Sequence, residues 1–433
     1  MKFQNTLDPL SRRAFCERWA KAALGVTVLH GASQAGFSAG EAVAAATAAA
    51  PGGPGFGKAK NIIFLQMLGG MTHIDTLDPK DGETQGPKAP ISTAADFQLG
   101  GTMQNLATHA DKISIIRSMT SKTGVHASGQ YLIRSGYEQR GTIKHPNIGA
   151  WAQHFKGASH ETLPSNVCVN RQPENGNGFF PSSFSPLPIL DPEAGLQYSQ
   201  SEAGPDVLEK RLAMLDQLDT GFRERFKTAS VQSYTQFYEK TVKIMSSTDL
   251  DAFRLDSETE ALRDSYGRNK LGQGCLLARR LIEKGIRYVE VASGGWDMHN
   301  NIEEELEERG TELDVALSTL LNDLKERGML ESTLVVLCSE FGRGPKINGN
   351  GGRDHHPRVF STLLAGGGVK GGFVYGSSDK EGFSVAEKEV KVQDFLATIG
   401  WSLGLPLEEI AYSPSQRPFT VGNKGKPVMD LFA

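Results

Sequence analysis

Six short apolar runs, separated by stretches of a different periodicity, constrain this 433-residue chain more than any other feature of it. They are NIIFLQML at 61–68, KISIIRSM at 112–119, SNVCVN at 165–170, IRYVEVA at 286–292, TLVVLCSE at 333–340 and VFSTLLAG at 359–366. Continuous apolar runs this short read as strands buried on both faces, because a strand with one wet face alternates apolar and polar residues. Helical patterns lie between them. Over 302–327, Ile302, Leu306, Leu313, Leu317, Leu320 and Leu324 recur at steps of three, four or seven and form one apolar stripe. Strands alternating with such helices predict an α/β fold, a doubly wound and largely parallel sheet with helices on both faces.

The ends and one interior stretch depart from that rhythm. The start, SRRAFCERWAKAALGVTVLHGASQAGFSAGEAVAAATAAAPGGPG, pairs Arg12 with Arg13, has a modestly apolar middle and ends in alanines. It reads as a twin-arginine export signal over 1–50, cleaved in the alanine run near Ala48 to Ala50, with a linker at 51–60. Gly25, Gly31, Gly36 and Gly40 disfavour a regular helix there, and His30, Gln34 and Glu41 interrupt any membrane span. The expected location is periplasmic or extracellular, with the twin-arginine export machinery as a partner. The α/β domain then occupies 61–433, with a Pro/Gly/Ser/Asn-rich and then charged insertion, a cap, at about 170–256. VQDFLATIGWSLGLP reads as a helix closed by Gly404, and the tail beyond Pro406 as a surface arm.

A net charge of −4 without any stripe of Lys and Arg excludes a broad nucleic-acid surface. The four cysteines, Cys16, Cys168, Cys275 and Cys338, are too far apart for a zinc site or a disulfide framework and read as buried thiols. A single bridge such as Cys168 to Cys275 stays open.

In parallel α/β sheets ligands bind beyond the carboxyl ends of the strands, and the polar residues of this chain collect there. Thr72, His73, Asp75 and Asp78 follow the first run, Asp297 and His299 follow IRYVEVA, and Glu340 and Arg343 follow TLVVLCS. The loop INGNGGRDHHPRV adds Arg353, Asp354, His355 and His356. Extended backbone alternates its side chains, so Asp297 and His299 project to one side and Met298 to the other. Pro357 holds His356 extended, so the adjacent histidines point apart and at most one of them is a direct ligand. This set suits one divalent ion, zinc, manganese or calcium, held by Asp297, His299, Glu340 and His355 with Asp75 completing its shell. Plain polar turns with capping residues are the competing reading. A helix starting near His126 in TSKTGVHASGQYLIRSGYEQ offers its N-terminus to an anion. His126 is then the leading residue for acid–base work or direct attack, since an imidazole exchanges protons near neutral pH. Thr72 and Ser128 are weaker candidate nucleophiles, and Arg343 or Arg353 would orient an anionic ester through paired donors.

Taken together, the twin-arginine start, GGMTHIDTLDPK, YGRNKLGQGCLLARRLIEKGIRYVEV, GGWDMHNN and SEFGRGPKINGNGGRDHHP closely resemble the bacterial family called domain of unknown function 1501. That family is similar to a branch of the alkaline-phosphatase and sulfatase superfamily. The resemblance implies an alkaline-phosphatase-like sheet and metal-assisted hydrolysis of phosphate or sulfate esters, on an anionic or carbohydrate-linked small molecule. In that superfamily metal ions activate a Ser, Thr or modified Cys nucleophile. The first strand there ends with a metal-binding Asp, where this chain has Gly69-Gly70 and the nearest acid is Asp75. The nucleophile's neighbourhood reads Gly124 to Ser128 without a counterpart, and the later Asp-His pair falls on Glu340-Phe341. Asp297, His299 and His355 match ligand positions, and the resemblance favours His355 over His356. Two functions follow: an exported hydrolase with a rebuilt metal centre, or an exported binding or assembly protein without catalysis.

Overall fold

The computed structural model describes residues 52–433 apart from 175, 198–204 and part of 227–246, so the expected export signal at 1–50 lies outside the described residues. Nine strands form one sheet: β1 Asn61–Met67, β2 Ile113–Thr120, β3 Asn166–Val169, β4 Leu187–Ile189, β5 Tyr288–Ser293, β6 Thr333–Ser339, β7 Phe360–Ala365, β8 Phe373–Tyr375 and β9 Val390–Lys391. Their spatial order is β8-β2-β7-β6-β1-β5-β3-β4, with β9 beside β2. Every pairing is parallel except those of β7, which runs against both β2 and β6.

Side-chain alternation along β1 sorts the core onto two faces. Ile63, Leu65 and Met67 join a cluster with helices α4 (Lys270–Glu283) and α5 (Ile302–Glu326). Ile62 and Phe64 join a second cluster with α1 (His126–Ser135), α2 (Ile148–Lys156) and α6 (Val392–Ser402). The sheet is therefore wound on both sides, which is why its central strands read as unbroken apolar runs. The stripe expected over 302–327 is the buried side of α5: Ile302, Leu306, Leu313, Leu317, Leu320 and Leu324 are all in the core.

Three expectations are refined. The segment from 170 onward does not simply leave the sheet, because Leu187–Ile189 adds an edge strand beside β3 before helix α3 (Pro205–Arg225) begins. The tail past Pro406 is not a surface arm: Val421, Leu431 and Phe432 are buried, the first two in the cluster that holds α6. No regular period marks these residues, so their burial follows from tertiary packing. The stretch before β1 is pinned too, with Trp401 Nε1 donating to the carbonyl of Pro54 at 2.8 Å and Phe56 edge-on to the indole. Cys168, Cys275 and Cys338 are buried free thiols, and burial pushes the Cys275 thiol up to about 12.

His73, fully buried after β1, donates from Nε2 to the carbonyl of Gly382 at 3.0 Å. Burial lowers its pKa from 6.5 to about 4, against the attraction of Asp78. The unfolded chain takes up this proton near the ordinary value and the folded chain only near 4, so stability falls on acidification through that window. The shift corresponds to roughly 3 kcal/mol. His73→Gln, which keeps a donor for Gly382, is expected to flatten urea-unfolding stability between those pH values. An unchanged acid slope would contradict the assignment.

Candidate metal centre at the carboxyl edge of the sheet

Four loops meet where the parallel strands end. β1 runs into Gly69-Gly70, β5 into Asp297 and His299, β6 into Glu340 and Arg343, and β2 into the turn before α1 and His126. The fifth contribution comes from β7. Because β7 is antiparallel, the loop that enters it, and not the one that leaves it, lies on this edge and carries Arg353 and His355.

His126 Nε2, Asp297 Oδ1 and His355 Nε2 converge. One donor atom from each of the three side chains lies within 4.8 Å of the others. Asp297 Oδ1 is 3.3 Å from His126 Nε2 and 3.1 Å from His355 Nε2. His299 Nε2 joins them, 3.1 Å from the same carboxylate oxygen and 3.0 Å from His355 Nε2. Local backbone produces part of this: the His299 N–H closes a tight turn on the Asp297 carbonyl at 3.0 Å, and Trp296 and Met298 are buried in the core while Asp297 and His299 stay accessible.

The remaining nitrogens fix the tautomers. His355 Nδ1 lies 2.7 Å from the carbonyl of Gly124, which can only accept, so Nε2 carries the lone pair. His126 Nδ1 lies 2.8 Å from Glu340 Oε1, which also accepts from the Gly69 N–H at 2.9 Å and from Gln130 Nε2 at 3.2 Å. That leaves His126 Nε2 with its lone pair aimed at the cluster, buried and without a hydrogen-bond partner. An orphaned acceptor beside two others is an unfavourable arrangement for a chain alone and a fitting one for a cation. Phe341 packs both rings in place, its centroid 5.0 Å from His126 and 4.9 Å from His355.

Asp297 is held by Arg343, whose Nη2 donates to Oδ1. Burial raises the carboxyl pKa, but the bond and the charge of Arg343 outweigh it and hold the group below the usual carboxylate range. Asp297 is thus a carboxylate at any ordinary pH. Arg343 itself is completely buried, with further donors on the carbonyls of Gly69, Gly70 and Arg353 and on His299 Nε2 at 3.3 Å. Its guanidinium is built into the wall, and its fork is not open to an ester.

The other sequence candidates sit elsewhere. Glu340 is fully buried behind His126, on the Nδ1 side of the ring. Asp75 faces Arg353, which grips it through Nε at 2.8 Å and Nη2 at 2.9 Å, with both side chains inaccessible. Arg353 also donates to the carbonyls of Gly344, Pro345 and Thr84, so its donors are spent. Thr72 Oγ1 donates to Asp75, and among the described residues Ser128 makes no side-chain hydrogen bond to the cluster. His356 turns away from His355 and bonds the carbonyl of Phe383 at 2.7 Å. The sequence does not single out Gln130 or Ser339, the latter bridging the Met67 carbonyl and the Met71 N–H. Gln130 alone left a signal, one helical turn after His126 on the same face.

Solved structures similar to this chain include a PsFucS1 sulfatase from Pseudoalteromonas sp., 13% identical over 87% of this chain and 72% of that one, with a TM-score of 0.42. The lipoteichoic acid synthase LtaP from Listeria monocytogenes is 9% identical over 82% and 75%, with a TM-score of 0.37. The alkaline phosphatase from the Antarctic bacterium TAB5 is 14% identical over 73% and 95%, with a TM-score of 0.32. No curated protein sequence matches. The segments quoted at the outset and the loops that build this centre fall within residues 59–432, the span matched by the family model described as protein of unknown function (DUF1501), and the chain belongs to that family.

Proposed function

We propose that this protein is an exported hydrolase that uses one divalent cation to cleave a phosphate or sulfate ester. The observation that carries the reading is the convergence of His126 Nε2, Asp297 Oδ1 and His355 Nε2, with each imidazole turned by a bond at its other nitrogen. His299 stands beside the cluster with its Nε2 on Arg343 Nη1 at 3.3 Å, Glu340 and the Gly124 carbonyl orient the rings, and Arg343 fixes the carboxylate. Two imidazoles and one carboxylate fit zinc or manganese better than calcium, which takes six or more oxygen ligands. When bound, the ion supplies Lewis-acid activation of water and neutralises charge on the ester.

The site is open on one side: the Asp297 side chain keeps 49% of its accessible surface and His299 39%. A structural metal site is usually closed by protein ligands, whereas a catalytic one keeps a position for water or substrate. Helix α1 begins at His126 with no side-chain cap, so its first N–H groups can receive an anionic oxygen. Among the described residues no Ser, Thr or Cys side chain hydrogen-bonds any of the three ligating groups. No helix of the described residues is long and apolar enough to cross a membrane, and the twin arginines at the start support export of the folded, loaded protein.

Metal analysis of the chain purified without residues 1–50, followed by aryl phosphate and aryl sulfate turnover, tests this. The expected result is one tightly held zinc or manganese ion and metal-dependent ester cleavage. Full metal with no turnover on any ester would leave a non-catalytic binding protein, and a folded chain that takes up no metal would remove the centre itself.

A further inference from the structure

Helix α3 (Pro205–Arg225) turns an apolar strip to solvent. Val207, Met214, Leu218 and Phe222 are 39%, 66%, 73% and 54% exposed. At 100° per residue, Val207, Met214, Leu218 and Arg225 fall within about 20° of one line along the helix. Arg211 and Phe222 flank that line on one side and Lys210 on the other, and all three are exposed. Asp216, by contrast, lies on the far side, where it pairs with Arg223. At the end of the helix the Phe222 and Phe226 rings meet at a tilt of 43°, their centroids 4.8 Å apart, with the Arg225 guanidinium 5.5 Å from the Phe226 ring.

We infer that this face docks on an anionic lipid surface. An exposed apolar strip of this length is costly in water and marks a contact site. The cations decide the occupant. Lys and Arg on either side of Leu, Met and Phe form the pattern of helices that lie in the membrane interface, with the apolar side chains in the acyl boundary and the basic ends reaching phosphates. A second copy of this chain would set Lys210, Arg211 and Arg225 against the same cations, without an acid on that face to offset them. Since no described helix is able to span a bilayer, the attachment is to its surface. This surface is independent of the metal centre and of the hydrolase reading.

Sedimentation of the full chain without residues 1–50 with vesicles of mixed phosphatidylglycerol and phosphatidylcholine is the test. Binding is expected to the anionic vesicles, to be weak on phosphatidylcholine alone, and to drop by about tenfold or more when salt is raised well past the physiological range. Leu218→Glu together with Phe222→Glu should lower it by about tenfold or more, with the melting temperature unchanged because both side chains are exposed. The inference is overturned by absence of binding to anionic vesicles, or by binding that the double variant leaves intact. It is likewise overturned by a solution dimer that this variant dissociates, which would make the occupant a second copy. Equal affinity for soluble polyglutamate would make it an acidic polypeptide.

Discussion

Asp297→Ala is expected to strip the cation from the folded chain and to reduce ester turnover by about a hundredfold or more. Asp297 is the only anionic donor in the converging set, and its loss does more than remove one bond. The Arg343 guanidinium, buried and previously paired with Oδ1, is left facing the three imidazoles as an uncompensated positive charge that repels the incoming ion. The same unpaired charge destabilises the fold, so the companion variant His355→Ala isolates the effect. It removes one lone pair and leaves the Asp297–Arg343 pair intact, and it should weaken metal affinity by about 10–100-fold or more with little change in melting temperature. Equilibrium dialysis against zinc or manganese reads both variants. If either retains the full complement of metal at wild-type affinity, the ligand assignment is wrong.

The second large effect is on stability. Arg353→Met should cost about 3–5 kcal/mol, because it leaves Asp75 as a buried carboxylate whose paired donors at 2.8 and 2.9 Å are gone. Only the Thr72 hydroxyl remains to bond it, at 2.7 Å. Three carbonyls, of Gly344, Pro345 and Thr84, also lose their donor, so the loop leading to His355 loosens with it. Replacing both members, Asp75→Leu with Arg353→Met, should recover a large part of the loss, since an apolar pair of similar volume carries no desolvation cost. Urea titration of the two variants decides the matter. A single variant that loses less than about 1 kcal/mol would mean that the pair is solvated and weak.

These residues show how far the sequence could be read. The sheet was legible because burial on both faces writes itself as unbroken apolar runs, and β1, β5 and β6 fall within a few residues of where those runs place them. Strand direction was not. VFSTLLAG carries the same signature whichever way it runs, and only the paired register shows β7 reversed. The proximity of Asp297 to His299 was readable because they are near neighbours in the chain, though a tight turn and not strand alternation sets it. Glu340 and Asp75 looked like ligands because acids at strand ends usually face the crevice, but what each one actually meets lies far away in sequence. Glu340 meets His126, 214 positions distant, and Asp75 meets Arg353, 278 positions distant. No periodicity encodes such pairings. His126 stood out only as the first residue of a helix, and the turn of its ring toward the cluster depends on that distant carboxylate.

Gly69 sets a limit on what this centre can become. Its φ of +121° already favours glycine, and a β-carbon there would stand 2.4 Å from the backbone nitrogen of Asp297 and 2.7 Å from the carbonyl carbon of Trp296. The end of the first strand therefore has no room for any side chain. A side chain at 69 is out of reach by one substitution, since the 294–297 loop would have to retreat first. The geometry that brings Asp297 to its partners is the same geometry that keeps any side chain out of position 69.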